Sequence, residues 1–343
     1  MYYVQRAYQI LQARGAKTLV MYGLGLILAR LGISELFSLI TGRSWQAGKV
    51  NPFGIVMART LPDTVNPSVH IPFENSCGGI RFDKVAVVAH VFHPELIEEI
   101  VEYLENMPLP FGLFITTDTE EKKRKINKAV RKSGLQTIEL EVRVTPNRGR
   151  DIAPKYIGFR DVYAQYEAFL HLHTKKSDHT KKLGNVWRHY LLEHLIGSRE
   201  IAKANLELLS MNNVGIVYPE HLKQIKKHIN WGYNFSAAQE ILAKAEIVLD
   251  LNTVLEFPSG SMFWGRSRAI TSILDLNLDF SDFPEEKAQI DGTLAHAIER
   301  SLLYFVEKSG HRWVRTTMRP QGKNQSKNKP EFTPLLGSEN HTA

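Results

Sequence analysis

The sequence predicts an α/β fold: a mostly parallel sheet flanked by helices, behind an apolar helical leader. Three observations predict it. From Lys84 onward, short β-branched runs alternate with segments whose apolar residues recur at helical spacing, the pattern of parallel strands joined by crossover helices. The helical segments carry start and stop signals in the order the macrodipole favours. The chain is 343 residues long, 43% hydrophobic and 23% charged, which is globular composition with room for a large core.

Taken in order, residues 1–40 form the leader. Its stretch "TLVMYGLGLILA" is uncharged from Thr18 to Ala29, and Arg30 and Glu35 break the apolar run beyond it. A spanning helix needs roughly 20 apolar residues, so the segment reads either as an interfacial helix on a membrane surface or as a hydrophobic helix docked on the domain. Residues 41–82 are rich in Pro, Gly, Asn and Ser and read as a linker with short extended pieces. The main domain spans 83–318. "KVAVVAHVF" is its first strand, "PELIEEIVEYLENMP" a helix, and "FGLFITTD" the second strand. "TEEKKRKINKAVRKSG" starts at Thr119 with acidic residues and stops at Gly134 after basic ones. "LQTIELEVRVTP" is the third strand, "KYIGFRDVYAQY" a helix and "YEAFLHLHT" the fourth strand. Helices come after Ser177, "NVGIVYP" is a further strand, "EFPSGSMFWGRS" an extended segment with a bend, and "PEEKAQIDGTLAHAIERSLLYFVEKSG" a long helix. Residues 319–343 have too few apolar side chains for a core and read as disordered.

Net charge is +7 and the isoelectric point about 9.3, which suits an anionic partner without choosing one. Cys77 is the only cysteine, so an intramolecular disulfide and a thiolate metal cage are both excluded. There is no GxGxxG, no P-loop, no HExxH and no GxSxG, which removes the familiar dinucleotide, NTPase, zinc-protease and hydrolase signatures.

In such a sheet, ligands gather at the carboxyl ends of the strands. Those ends hold Asp118, the turn Asn147-Arg148-Gly149-Arg150-Asp151, and the run His171-Leu172-His173-Thr174-Lys175-Lys176. Each has a plain structural alternative. Asp118 and Asp151 suit helix N-caps, and Lys175 and Lys176 suit an exposed basic loop. The cations from Lys122 to Lys132 suit a solvated helix face. His171 and His173 share a strand face and form a weak candidate metal pair without an obvious third ligand. Gly260 and Ser261, between large apolar residues, suit close approach of a ligand or a simple bend. Glu286 and Asp291 are candidate general bases, Asp291 alternatively an N-cap. Trp264 and Trp231 suit either stacking on a sugar face or core packing.

The motifs "PNRGRDIAP", "HLHTKKS", "FPSGSMFW" and "QIDGTLAHAIER", in this order between Lys84 and Trp313, resemble the rhamnan synthesis protein F family. More distantly the strand order is similar to a GT-A glycosyltransferase, with an acidic residue ending the second strand and an Asn-x-Gly turn after the third. The resemblance implies sugar transfer from a nucleotide-diphosphate donor, dTDP-L-rhamnose by preference, to a lipid-linked or polysaccharide acceptor. It implies nucleoside contact at Asp118 and donor contact from Gly149 to Asp151. Asp291 comes first as base and Glu286 second, with Gly260, Ser261 and Trp264 on the acceptor side. Where GT-A enzymes carry an Asp-x-Asp for a divalent metal, this chain has His171-Leu172-His173. Mg or Mn dependence is therefore open, and Lys175 and Lys176 stand as substitute cations. The expected location is the cytoplasm, at the inner membrane face. Two rivals are a non-catalytic glycan- or nucleotide-binding scaffold and a nucleic-acid binder; the strand-end motifs offer few aromatics for base stacking, so no nucleic-acid partner is expected.

Overall fold

A computed structural model describes residues 56–62, 65–73, 78–174, 181–226, 228–286, 291–318 and 333–336. The leader, Cys77, Lys175 and Lys176 lie outside them. Ten strands are present among the described residues: β1 (Arg59–Thr60), β2 (Val69–His70), β3 (Val85–His90), β4 (Phe111–Thr117), β5 (Glu139–Val144), β6 (Ala168–His173), β7 (Val214–Pro219), β8 (Val254–Leu255), β9 (Phe263–Arg266) and β10 (Arg312–Thr317). Eight form one sheet in the order β2-β10-β7-β9-β6-β3-β4-β5, and β1 pairs with β8. Every pairing in the large sheet is parallel except those of β9, which runs against both β6 and β7.

The helices are α1 (Ile97–Leu104), α2 (Glu120–Ser133), α3 (Ile152–Tyr156), α4 (Lys181–Ile196), α5 (Arg199–Leu209), α6 (Lys223–Lys226), α7 (Phe235–Ala243), α8 (Thr271–Leu274) and α9 (Leu294–Lys308). Period-2 alternation divides the core between the two sheet faces. From β3, Val85, Val87 and Ala89 join a core with Ile97 of α1, Ile126 of α2, Leu191 of α4 and Ile201 of α5. Ala86 and Val88 join the other core, with Ile152 of α3, Ala238 of α7 and Leu302 of α9. A strand covered on both faces has no need of polar residues, which is why β3 and β4 read as unbroken apolar runs. The α2 boundaries match the sequence signals: the Thr119 side chain accepts from Lys122 N, and Gly134 takes the left-handed conformation at the end.

Several expectations need correcting. The helix after the third strand is only the five residues of α3, succeeded by a 3-10 turn at Val162–Ala164. The last long helix starts at Leu294, just after Thr293, whose side chain makes no cap bond, rather than at Pro284. β10 carries two arginines and is a strand that the apolar pattern does not predict. By contrast, β1 and β2 are short extended pieces of the kind expected within 41–82, and Ile71 beside β2 is fully buried. Of the tail, residues 333–336 are placed: the backbone N–H groups of Leu335 and Leu336 donate to the Glu307 carboxylate at 2.9 and 2.7 Å.

The chain order of the strands locates a crevice. β3, β4 and β5 step outward in one direction, and β6 then pairs on the opposite side of β3. The connections after β3 and β6 leave in opposite directions, so the gap at their carboxyl ends is the topological switch point, where open α/β sheets take ligands.

The short β9 closes this arrangement only because Gly265 lets the Phe169 ring lie flat on its backbone; an added Cβ would collide with that ring. Gly265→Ala is expected to destabilise the fold by about 1–3 kcal/mol through overpacking, read as a lower urea midpoint at unchanged m-value.

Candidate functional site

At the crevice, Thr174 N donates to His90 O and His93 N donates to Thr174 Oγ1, both at 3.0 Å. These bonds pin the ends of β3 and β6 together. His90 Nδ1 lies 3.0 Å from Thr116 Oγ1. Burial pushes the His90 pKa down to about 4, against the pull of Asp151 and Asp118. Asp118, one residue past β4, pairs with Lys122 Nζ at 2.6 Å, and that ammonium lies 3.7 Å above the Phe92 ring. The cap of α2 is Thr119, so Asp118 is not spent as a helix cap.

The turn after β5 is built on two successive left-handed residues, Gly149 (φ 70°) and Arg150 (φ 57°). Gly149 is required twice over: a Cβ there would sit 2.5 Å from Ala153 Cβ and 2.7 Å from Phe283 Cδ1. The two arginines of the turn part company. Arg148 donates to Phe283 O at 2.8 Å and to Glu285 at 3.3 Å, clamping residues 283–285 against the turn. Arg150 donates its backbone N–H to Glu286 Oε1 at 3.1 Å and its guanidinium to His296 Nε2 at 2.6 Å. His296 Nδ1 in turn meets Thr293 Oγ1 at 2.8 Å. Burial pushes the Glu286 carboxyl pKa up, opposed by Arg150. Asn147 is exposed at the same turn.

Sequence reasoning does not single out Lys155, yet it joins two of the motifs. It is buried, with Nζ 3.1 Å from Asp151 Oδ2 and 2.8 Å from Ser261 O. Burial lowers its pKa, and the Asp151 carboxylate opposes the fall. The signal that could have found it is the i,i+4 Asp–Lys spacing across α3. Asp151 makes no side-chain cap on α3; its carboxylate faces Lys155 instead. The loop 256–262 is held at two further points. His173 Nε2 bonds Gly260 O at 2.7 Å, and Gly260 N donates to Glu299 Oε1 at 3.3 Å. Gly260 and Ser261 are again successive left-handed residues, φ 87° and 58°. A Cβ on Gly260 would lie 2.8 Å from Leu191 Cδ1. Thus Asp118, Gly149, Arg150, Asp151, His173, Gly260, Ser261 and Glu286 fall around one crevice, most of them on a single bonded network.

Other candidates sit elsewhere or are committed. His171 lies inside the core, bonded through Nε2 to Tyr163 Oη at 2.6 Å, and burial drives its pKa down. With Nε2 of both histidines engaged, and no group of three or more His, Cys, Asp or Glu placed for a metal among the described residues, the His171–His173 pair does not form a metal cage. Trp264 is fully buried with its indole N–H on Leu195 O, and Trp231 is fully buried against Tyr304. Neither offers a face to a sugar, because both are core residues. Asp291 is not a helix cap. It accepts from Asn234 Nδ2 at 2.5 Å and Tyr233 N at 3.2 Å, and lies 3.6 Å from Arg300. Burial alone would raise its pKa; Arg300, His296 and Asn234 outweigh burial and hold it below the usual value.

The bonding of His296 fixes its charge. Arg150 can donate to Nε2 only if that nitrogen carries a lone pair, so the ring is neutral with its proton on Nδ1. Burial, then Arg150, depresses its pKa. The unfolded ring titrates near 6.5, so as pH falls below that value the unfolded state takes up the proton first and stability drops. The expected slope is up to about 1.4 kcal/mol per pH unit for this residue. It should vanish from urea-melt stabilities measured between about pH 6.5 and 5 in His296→Gln.

A family model of rhamnan synthesis protein F matches residues 69–311. Two curated relatives, from two strains of Xanthomonas campestris pv. campestris, both bear the name uncharacterized protein WxcX. They are 36% and 35% identical over 229 residues, which is 66% of this chain and 32% of each relative. The chain therefore spans about a third of the length of the curated relatives it matches. The family match covers the crevice, its turns and most of the sheet from β2 to α9, and by it this chain belongs to the rhamnan synthesis protein F family.

Proposed function

We propose that this domain transfers a sugar from a nucleotide-diphosphate donor to a growing cell-surface glycan, with dTDP-L-rhamnose the first donor to try. Family membership supports the polysaccharide setting. The observation that carries the reading is the convergence of the third- and fourth-strand ends on loop 256–262, bonded through Lys155 and His173, with Arg150 tying the same turn to His296 of α9. The arrangement suits the GT-A resemblance: Asp118 ends the domain's second strand and Asn147-Arg148-Gly149 comes after the third.

In this reading Asp118 meets the nucleoside, and the exposed Arg150 guanidinium meets the diphosphate. Lys175 and Lys176, next in the chain after Thr174, are kept as further cations for the diphosphate. Arg148 is a positioning residue, since its guanidinium is spent on the 283–285 segment. The acceptor, lipid-linked or polysaccharide, approaches beside Gly260 and Ser261. Its hydroxyl oxygen attacks the anomeric carbon as its proton passes to a carboxylate; the bond from that carbon to the diphosphate oxygen breaks, and the leaving group keeps the electron pair. Glu286 is the better base. Burial raises its pKa and so its proton affinity, whereas Asp291 is held as a low-pKa carboxylate by partners it would have to abandon. Fixed donors on the leaving diphosphate are worth a few kcal/mol each in a water-poor site. Among the described residues the donor atoms at the fourth strand's end, with His171 and His173 already bonded through Nε2, do not form a divalent-metal set, and no step is routed through a metal.

Melting the protein against a panel of nucleotide sugars tests donor binding, because a ligand that binds only the native state raises the midpoint. One nucleotide-diphosphate sugar should stabilise the chain and be consumed when glycan acceptor is added, with or without chelator. Glu286→Gln should lower kcat about 10²–10⁴-fold while the donor-induced shift persists; Asp291→Asn should lower the melting temperature instead. A full rate in Glu286→Gln removes the base. Donor binding without turnover favours a binding scaffold, and no shift with any nucleotide sugar ends the reading.

A further inference from the structure

The outer face of α2 is unused by the crevice, and its charge is concentrated. The helix holds seven Lys and Arg against two Glu, a surplus of five where the whole chain has a surplus of seven. Three of the seven are neutralised: Lys122 by Asp118 at 2.6 Å, Lys123 by Glu120 at 3.9 Å and Lys125 by Glu121 at 2.7 Å. The other four, Arg124, Lys128, Arg131 and Lys132, form no salt bridge among the described residues, though Arg124 feels the exposed Glu121. Arg124, Lys128 and Arg131 fall at i, i+4, i+7 spacing and form one stripe, turned away from the buried Ile126 and Val130.

Beside the stripe runs β5, the edge of the sheet, paired only with β4. At its two ends are Ile138, 54% exposed, and Val144, 37% exposed. These two branched apolar side chains stand in water at the ends of the edge strand on which α2 packs, and they add nothing to binding a phosphate backbone. They suit a bilayer interface, where cations meet anionic headgroups and apolar side chains reach the acyl boundary. The patch offers no aromatic ring for stacking a base, the usual anchor for single-stranded nucleic acid.

We propose that the α2–β5 edge, with Arg124, Lys128, Arg131, Lys132, Ile138 and Val144, docks this domain on an anionic lipid bilayer. This face is independent of the leader and of the sugar-transfer reading. α2 begins two residues after Asp118, so one end of this face adjoins a residue of the crevice.

The test uses the full chain and sedimentation with vesicles of phosphatidylcholine, alone or with about a third phosphatidylglycerol. The chain should bind the anionic vesicles and leave them at high salt. Changing Arg124, Lys128, Arg131 and Lys132 together to Gln should cut the partition coefficient about 100-fold or more, at roughly fivefold per charge. Lys128→Gln/Arg131→Gln, less demanding on folding, should cut it more than about tenfold, and Ile138→Ser should weaken it a further few-fold. Melting curves check that each variant is folded. Unchanged partition in the charge variants, equal binding to neutral vesicles, or no vesicle binding by the parent chain overturns the proposal. So does duplex-DNA binding that falls in the charge variants while vesicles are ignored.

Discussion

The candidate site depends on one buried ammonium. Lys155 Nζ sits between the Asp151 carboxylate and Ser261 O, two groups brought from segments more than a hundred residues apart. Burying a charge costs several kcal/mol unless it is paired and hydrogen-bonded. Here the compensation comes only when the turn after β5 and loop 256–262 are both in place. The ammonium therefore converts a burial penalty into a constraint on loop position. Its field also reaches His171, which burial and Lys155 together keep neutral beside Tyr163.

Both loops that Lys155 joins are built alike. Each has a glycine and then a non-glycine in left-handed conformation: Gly149 with Arg150, and Gly260 with Ser261. A non-glycine there costs on the order of 1 kcal/mol, and each is held by its own backbone. Arg150 N donates to Glu286, and Ser261 O accepts from Lys155. The glycines are fixed by space as well as by φ, since Ala153 and Phe283 crowd one and Leu191 the other. Strained turns of this kind re-aim backbone and side chain at a strand end, where a rigid sheet behind them keeps the aim.

What the sequence reveals is what local physics decides. β3, β4, α1 and α2 are legible because period 2, period 3.6 and cap residues act within a few positions. β10 is not, because Arg315 looks wrong for an inner strand until its partners are known: its guanidinium meets Glu256 and the carbonyls of Val65 and Asn66. The docking of residues 333–336 is equally invisible, since it rests on a carboxylate of α9. The strand-end rule puts Asp118, the 147–151 turn and His173 at neighbouring strand ends, where the structure also has them. It misjudges Trp264, because a tryptophan beside a glycine reads the same whether its ring faces solvent or core. It leaves Lys155 out because a lysine in a helical pattern reads as surface.

The charges around the crevice are mostly settled before any ligand arrives. Lys122 is matched by Asp118, Lys155 by Asp151, Arg148 by Glu285 and Arg300 by Asp291. In each pair an incoming anion would have to compete with a carboxylate already at hand, and would gain little. Arg150 differs. Its guanidinium meets the neutral ring of His296, and the Glu286 carboxylate beside it is taken through the backbone N–H. A neutral partner orients a cation without cancelling it, although Arg150 still feels the Glu286 carboxylate, whose pKa it pulls down against burial. An anionic ligand gains most where attraction is not already spent; in the sugar-transfer reading proposed above, that favours the second arginine of "PNRGRDIAP" over the first as the diphosphate's partner.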